Sequence, residues 1–199
     1  MNTLFLHLEG VLQAWGEESR YMVRNTAPLP TKSGVIGLLA QALGDPEAAP
    51  ALSNALRMGV KVLKPGTLLE DYHTVTGGTR AARGDIRPET LITYRYYLAD
   101  AAFRVALQGH PSLLSTLVAA LRAPQKPLFL GRRCCPPSVP IFERVDDYPD
   151  LRSALAPLDG LTEIEVEPSL GGIYRMDAVR DVQAHTFAAR YVQLFQAEG

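Results

Sequence analysis

A chain of 199 residues with 47% hydrophobic and 21% charged content can bury a full core, in one large domain or two small ones, and is globular rather than disordered. It has no run of about 18 apolar residues, Met1 to Gly10 lacks the regions of a signal peptide, and its only cysteines are the neighbours Cys134 and Cys135. A cytoplasmic protein with no membrane span, disulfide framework, metal or other cofactor is therefore expected.

Leu4, Leu6 and Leu8 alternate with Phe5, His7 and Glu9, which predicts a strand over Thr3 to Glu9. Val35, Ile36, Leu38, Leu39, Ala42 and Leu43 recur at helical spacing over Ser33 to Leu43, with Thr31 or Ser33 as cap and Gly44 as terminator. A short helix over Pro46 to Arg57 and a strand over Gly59 to Leu63 follow. Ala101 to Gln108 reads as a strand, Pro111 to Arg122 as a second amphipathic helix, and Pro127 to Leu130 as a short strand. Short strands are expected near Thr162 to Glu167, Ala178 to Val182 and Arg190 to Phe195. The order β-α-β-β-α-β predicts an α+β, ferredoxin-like domain of the kind shared by RNA-recognition folds, over residues 1–135, with a smaller β-rich region over 136–199 packed on it. An insertion at about 65–100 interrupts it. Its flanks, Leu68 to Val75 and Ile92 to Leu98, are strand-like and can form an arm, and its middle is glycine-rich and basic.

The net charge of −1 hides an asymmetry. Residues 1–56 carry 3 basic and 5 acidic groups (−2), residues 57–144 carry 13 and 6 (+7), and residues 145–199 carry 4 and 10 (−6). A basic middle on a near-neutral chain suits a local polyanion site, or a solvated basic face.

Four segments carry groups suited to RNA. After the first strand, Trp15 sits in a glycine-flanked turn where an indole can stack on a base and Gln13 can read a base edge; alternatively Trp15 is a core plug. Thr31, Lys32 and Ser33 open a helix whose free N–H groups favour an anion, although without Walker spacing; the alternative is an ordinary capped helix. Tyr72 and His73 can stack and hydrogen-bond, or serve RNA cleavage. Neighbours on a strand point to opposite faces, which argues against a two-residue catalytic unit. Arg132 and Arg133 follow Gly131 and suit either phosphate contacts or ion pairs to the acidic C-terminal region. In the insertion, Arg80, Arg83 and Arg87 supply further phosphate-pairing charge. His7, His110 and His185 lie far apart and show no metal-ligand spacing.

These residues carry a resemblance. Leu8-Glu9-Gly10, Gln13-Ala14-Trp15-Gly16, Pro30-Thr31-Lys32-Ser33-Gly34 and Asp71-Tyr72-His73-Thr74-Val75 resemble the CasD family of type I-E CRISPR Cascade subunits. So do Tyr97 to Leu107, Leu130-Gly131-Arg132-Arg133-Cys134 and Gly171-Gly172-Ile173-Tyr174, in order over nearly the whole chain. Cys134 stands where most family patterns carry a serine. The resemblance implies a RAMP-type ferredoxin-like fold with a protruding β-hairpin thumb. It implies a non-catalytic antiviral-defence subunit that caps the 5′ handle of the CRISPR RNA (crRNA) and abuts the Cascade backbone and large subunits, away from membranes. The competing expectation is a metal-independent endoribonuclease that processes CRISPR repeat RNA, using His73 with Tyr72 or Lys32.

Overall fold

The computed structural model describes residues 2–16, 22–76, 79–80, 86–87 and 90–196, with the backbone alone at 79, 80, 86 and 87. The chain is a mixed α+β structure with mostly antiparallel sheets. Its main elements in chain order are β1 (Asn2–Glu9), α1 (Lys32–Leu43), α2 (Ala49–Ala55), β2 (Arg57–Lys64), β3 (Thr67–Val75), β4 (Leu91–Ala99), β5 (Ala102–Gln108) and α3 (Pro111–Arg122). They continue with β6 (Phe142–Asp147), α4 (Leu151–Leu155), β7 (Thr162–Val166), β8 (Ile173–Asp181) and β9 (Thr186–Phe195).

Seven of these strands form one antiparallel sheet in the order β6-β1-β5-β2-β7-β9-β8. The period-two pattern of β1 explains its place at the core. Leu4, Leu6 and Leu8 are fully buried in the cluster that holds Val35, Ile36 and Leu39 of α1 and Leu114, Leu117 and Leu121 of α3. Phe5 belongs instead to the cluster with Leu151, Ala154 and Leu155 of α4. The sheet is thus covered by α1 and α3 on one face and by α4 on the other, the layering that lets each apolar face leave water. The helix limits follow their caps. Thr31 Oγ1 accepts from the Gly34 N–H, and Gly44 ends α1 in the left-handed region with φ 76°.

One expected strand is absent. Pro127 to Leu130 is not extended into the sheet, and the place beside β1 is taken by β6. Leu130 is occupied otherwise: its N–H donates to the Cys135 carbonyl, and its own carbonyl accepts from the Ala14 N–H. Nor does the sheet stop at residue 135. Strand β6 pairs with Asn2 to Leu6, and β7 pairs with Gly59 to Lys61, so strands from both sides of that point share one sheet.

The insertion begins and ends as an arm. All of β3 pairs antiparallel with β4, from Thr67↔Ala99 to Val75↔Leu91. Further out, Thr79 pairs with Arg87 and Arg80 with Ile86. The turn into the arm at Gly66 takes φ 72°, and a Cβ there would lie 2.5 Å from the Ala99 carbonyl oxygen, so only glycine fits.

Candidate nucleic-acid interface at the foot of the arm

The foot of the arm is where β4 meets the loops that follow β1 and α3. Residues Val23–Arg24 add a short strand parallel to β4, with Arg24 in register with Arg95 and Val23 with Tyr94. On the same edge Leu12–Gln13 pairs antiparallel with Leu98 and Ala99. The turn at Gly131 to Cys135 docks against both. Gly131 has φ 86°, and a Cβ there would fall 1.8 Å from the Ala14 carbonyl oxygen, so the turn approaches the loop after β1 as closely as a glycine allows.

This docking sets Arg132 against the backbone beside Arg24 and Arg95, with Arg133 next to it in the chain. Among the described residues none of the four has a carboxylate at ion-pairing distance. Asp71, opposite Arg95 in the ladder, approaches His73 instead, with Oδ2 3.9 Å from Nδ1. The Nε of Arg95 is buried without a hydrogen-bond partner. Arg24 and Arg95, like charges held in register, repel unless an anion lies between them, so the arrangement favours an anion there. Beside it opens a cleft of about 540 Å³ whose lining includes Arg24, Asn25, Ser33, Arg132, His185 and Phe187.

The outer face of the arm carries exposed aromatics. Tyr72 is 56% exposed and packs edge-to-face on Tyr94 with ring centroids 5.5 Å apart. Tyr96, two residues on, donates to Glu70 Oε2 at 2.5 Å, and that hydrogen bond raises its phenol pKa above the usual value. Exposed tyrosines in a row are platforms on which bases stack without sequence preference. His73 points to the opposite face, opposite Thr93.

Several expected contacts lie elsewhere. Trp15 is fully buried, and its indole N–H donates to Gln13 Oε1 at 3.1 Å. Gln13, also fully buried, donates to the carbonyls of Leu8 and Ala101. Both brace the core, because the loop after β1 folds under α1 and puts the indole against Gly34. Lys32 is only 3% exposed, and its Nζ lies 2.8 Å from Glu165 Oε1. The Lys32 backbone N–H donates to Asp177 Oδ2 at 2.9 Å, so the anion at this helix N-terminus comes from the chain itself. Thr31 caps α1, and Ser33 Oγ reaches Thr31 at 3.4 Å while lining the cleft. Among the described residues the acidic C-terminal region pairs with Lys32, Arg175 and Arg190, and not with Arg132 or Arg133. The backbone of Arg80 and Arg87 pairs in the outer ladder, while their side chains and Arg83 lie outside the described residues.

The comparisons decide the family. The sequence matches the family described as "CRISPR-associated protein (Cas_Cas5)" over residues 3–193. The chain belongs to that family. It is 36% identical over 191 residues to the "CRISPR system Cascade subunit CasD" of Escherichia coli (strain K12), covering 88% of this chain and 82% of that protein. A solved "CRISPR RNA-guided surveillance complex" contains a chain with a TM-score of 0.78 and 29% identity, covering 98% of this chain and 89% of its own length. A "Crystal structure of Cas protein" gives 0.75 and 35%, covering 98% and 94%. The sequence reading named Arg132 and Arg133 of this cluster and did not name Arg24, Arg95, Tyr94 or Tyr96. The signal that finds them is alternation: on β4, Tyr94 and Tyr96 share one face and Arg95 the other. No group of three or more His, Cys, Asp or Glu residues is placed to hold a metal among the described residues, and no helix among them is long and apolar enough to cross a membrane.

Proposed function

We propose that this chain is a non-catalytic RNA-binding subunit of a type I-E Cascade complex in the cytoplasm. In this reading it caps the 5′ handle of crRNA and contacts the backbone and large subunits. The observation that carries it is the cluster of four arginines at the foot of the arm with no carboxylate at ion-pairing distance among the described residues, in a chain of this family. The order β6-β1-β5-β2 supports a ferredoxin-like core of the RAMP kind, with β6 as its fourth strand and the hairpin β3–β4 as its thumb. Strands β7 to β9 then extend that core from the 136–199 region. Arg24, Arg95 and Arg133 hold phosphates, Tyr72 and Tyr94 offer stacking faces, and Arg80, Arg83 and Arg87 continue the basic track toward the thumb tip. The non-catalytic reading rests on geometry: Tyr72 and His73 point to opposite faces, and Lys32 is buried in an ion pair with Glu165, so no two of them converge on one phosphate.

Incubating the purified chain with labelled CRISPR repeat RNA tests this reading. Binding should weaken linearly with the logarithm of salt concentration, and the RNA should stay intact with or without divalent metal. Specific cleavage that disappears in His73→Ala would establish the endoribonuclease instead.

A further inference from the structure

Arg132 stands apart from the other three arginines. Its NH1 donates to the Tyr96 carbonyl at 3.1 Å, and its NH2 donates to the carbonyls of Arg24 at 2.8 Å and Asn25 at 3.1 Å. Its guanidinium carbon lies 4.9 Å from the centre of the Tyr97 ring. The fork therefore joins two segments that are 71 residues apart at Arg24 and Arg95, and it does so on the backbone of each. The joint is otherwise thin: Arg24 and Val23 make a two-residue strand, helped by the Tyr94 N–H donating to the Met22 carbonyl at 2.8 Å. The turn that carries Arg132 is itself fixed, by the Cys135 N–H donating to the Arg132 carbonyl at 2.9 Å and by the close approach of Gly131 to Ala14.

The geometry points to Arg132 as a positioning residue: a guanidinium staple that fastens residues 22–25 to β4 and thereby sets Arg24 beside Arg95 for an RNA phosphate, without being a phosphate ligand itself. This inference rests on the proposed RNA-binding role and assigns the division of labour within that site. Lysine cannot replace the staple. A single ammonium on a flexible stem lacks the planar fork that reaches three carbonyls while its guanidinium carbon sits over a tyrosine ring. A residue that only supplied charge to a phosphate would be replaced by lysine with little loss.

Two measurements on the full chain decide it. In the first, RNA affinity is followed against salt for the wild type, Arg132→Ala and Arg132→Lys. The staple predicts that both variants lose affinity by roughly tenfold or more and that the salt slope falls by about one in both alike, because Arg24 leaves its phosphate and lysine does not bring it back. A slope lower by about one in Arg132→Ala, restored together with affinity in Arg132→Lys, would overturn it. In the second, amide hydrogen exchange is measured on the free protein, where no RNA is involved. Exchange at residues 22–27 should rise in Arg132→Lys, with the protection of β1 and β5 unchanged as proof of fold. Unchanged exchange at 22–27 would remove the staple whatever the RNA result. A wild-type chain that does not bind RNA would instead remove the RNA reading and leave the exchange result to judge the joint.

Discussion

Two clusters of charge in this molecule are built from the same residue types and behave oppositely. At the foot of the arm, Arg24, Arg95 and Arg133 have no carboxylate at ion-pairing distance among the described residues. At the far side of α1, Lys32, Arg175 and Arg190 meet Glu163, Glu165 and Asp177. Arg190 bonds both Asp177 oxygens at 2.6 and 2.9 Å and Glu163 Oε1 at 2.7 Å, and Arg175 reaches Glu163 Oε2 at 3.1 Å. For Arg190, burial disfavours the charge, but Asp177 and Glu163 outweigh it and hold the guanidinium's pKa above its ordinary value. Three bases against three acids make the second cluster neutral and inward-facing. Charge becomes available to a polyanion only where the fold withholds the partner, and the net charge of −1 reports neither fact.

The comparison breaks most visibly in the neutral cluster. Arg190→Met leaves Glu163 and Asp177 buried without their shared partner, and should cost about 3–5 kcal/mol of stability in a denaturant titration. The same variant, where folded, should keep the wild-type salt slope of RNA binding. Lys32→Met should cost nearer about 3 kcal/mol, because Glu165 still accepts from the Met58 N–H. A loss of RNA affinity with little loss of stability in Lys32→Met would move Lys32 back into the phosphate site.

At the arm the expected signs reverse. Arg24→Ala removes no ion pair among the described residues, so its melting transition should stay near wild type. Its RNA affinity should fall roughly ten- to hundredfold, since a charge-assisted hydrogen bond contributes about 1.5–3 kcal/mol, with a salt slope lower by about one. A stability loss in place of the slope change would make Arg24 structural.

The division between the two clusters was only partly legible in the sequence. The strands β1, β2 and β5 and the helices α1 and α3 follow from clean apolar periodicity, because each presents one face to the core. The arm was visible from its strand-like flanks. Strand β6 was not: it is an edge strand, half-exposed along Phe142–Asp147, so no alternation marks it. The apolar Pro127 to Leu130 drew the strand assignment in its place. The partner of Lys32 could not be read either, since Glu165 and Asp177 lie 133 and 145 residues away and meet it only through the pairing of β2, β7, β9 and β8. Trp15 was ambiguous for the same reason: a glycine-flanked turn looks exposed until α1 is laid over it.

Smaller effects sharpen the picture of the surroundings. Asp150 caps α4 by accepting from the Ser153 N–H at 2.7 Å, and that hydrogen bond lowers its carboxyl pKa. A lowered folded-state pKa contributes stability above the unfolded value of about 3.9 that is lost as the pH falls through the folded value. Asp150→Ala should therefore cost about 1 kcal/mol at pH 7, and the gap from wild type should close on acidification below that range. The adjacent thiols differ in reactivity. Burial, then the neighbouring Cys134, pushes the Cys135 thiol up to about 12, whereas Cys134 is exposed. One thiol should alkylate at pH 8 in the native protein and the second only on unfolding, as counted by intact mass.

The arginines at the foot of the arm are expected to meet RNA phosphate, and the buried Lys32 is not. The direct test is the salt slope of RNA binding in the triple variant Arg24→Ala, Arg95→Ala, Arg133→Ala, set beside Lys32→Gln. The expected result is a slope lower by about three units in the triple variant and an unchanged slope in Lys32→Gln. An unchanged slope in the triple variant, or a slope lowered in Lys32→Gln, would contradict it.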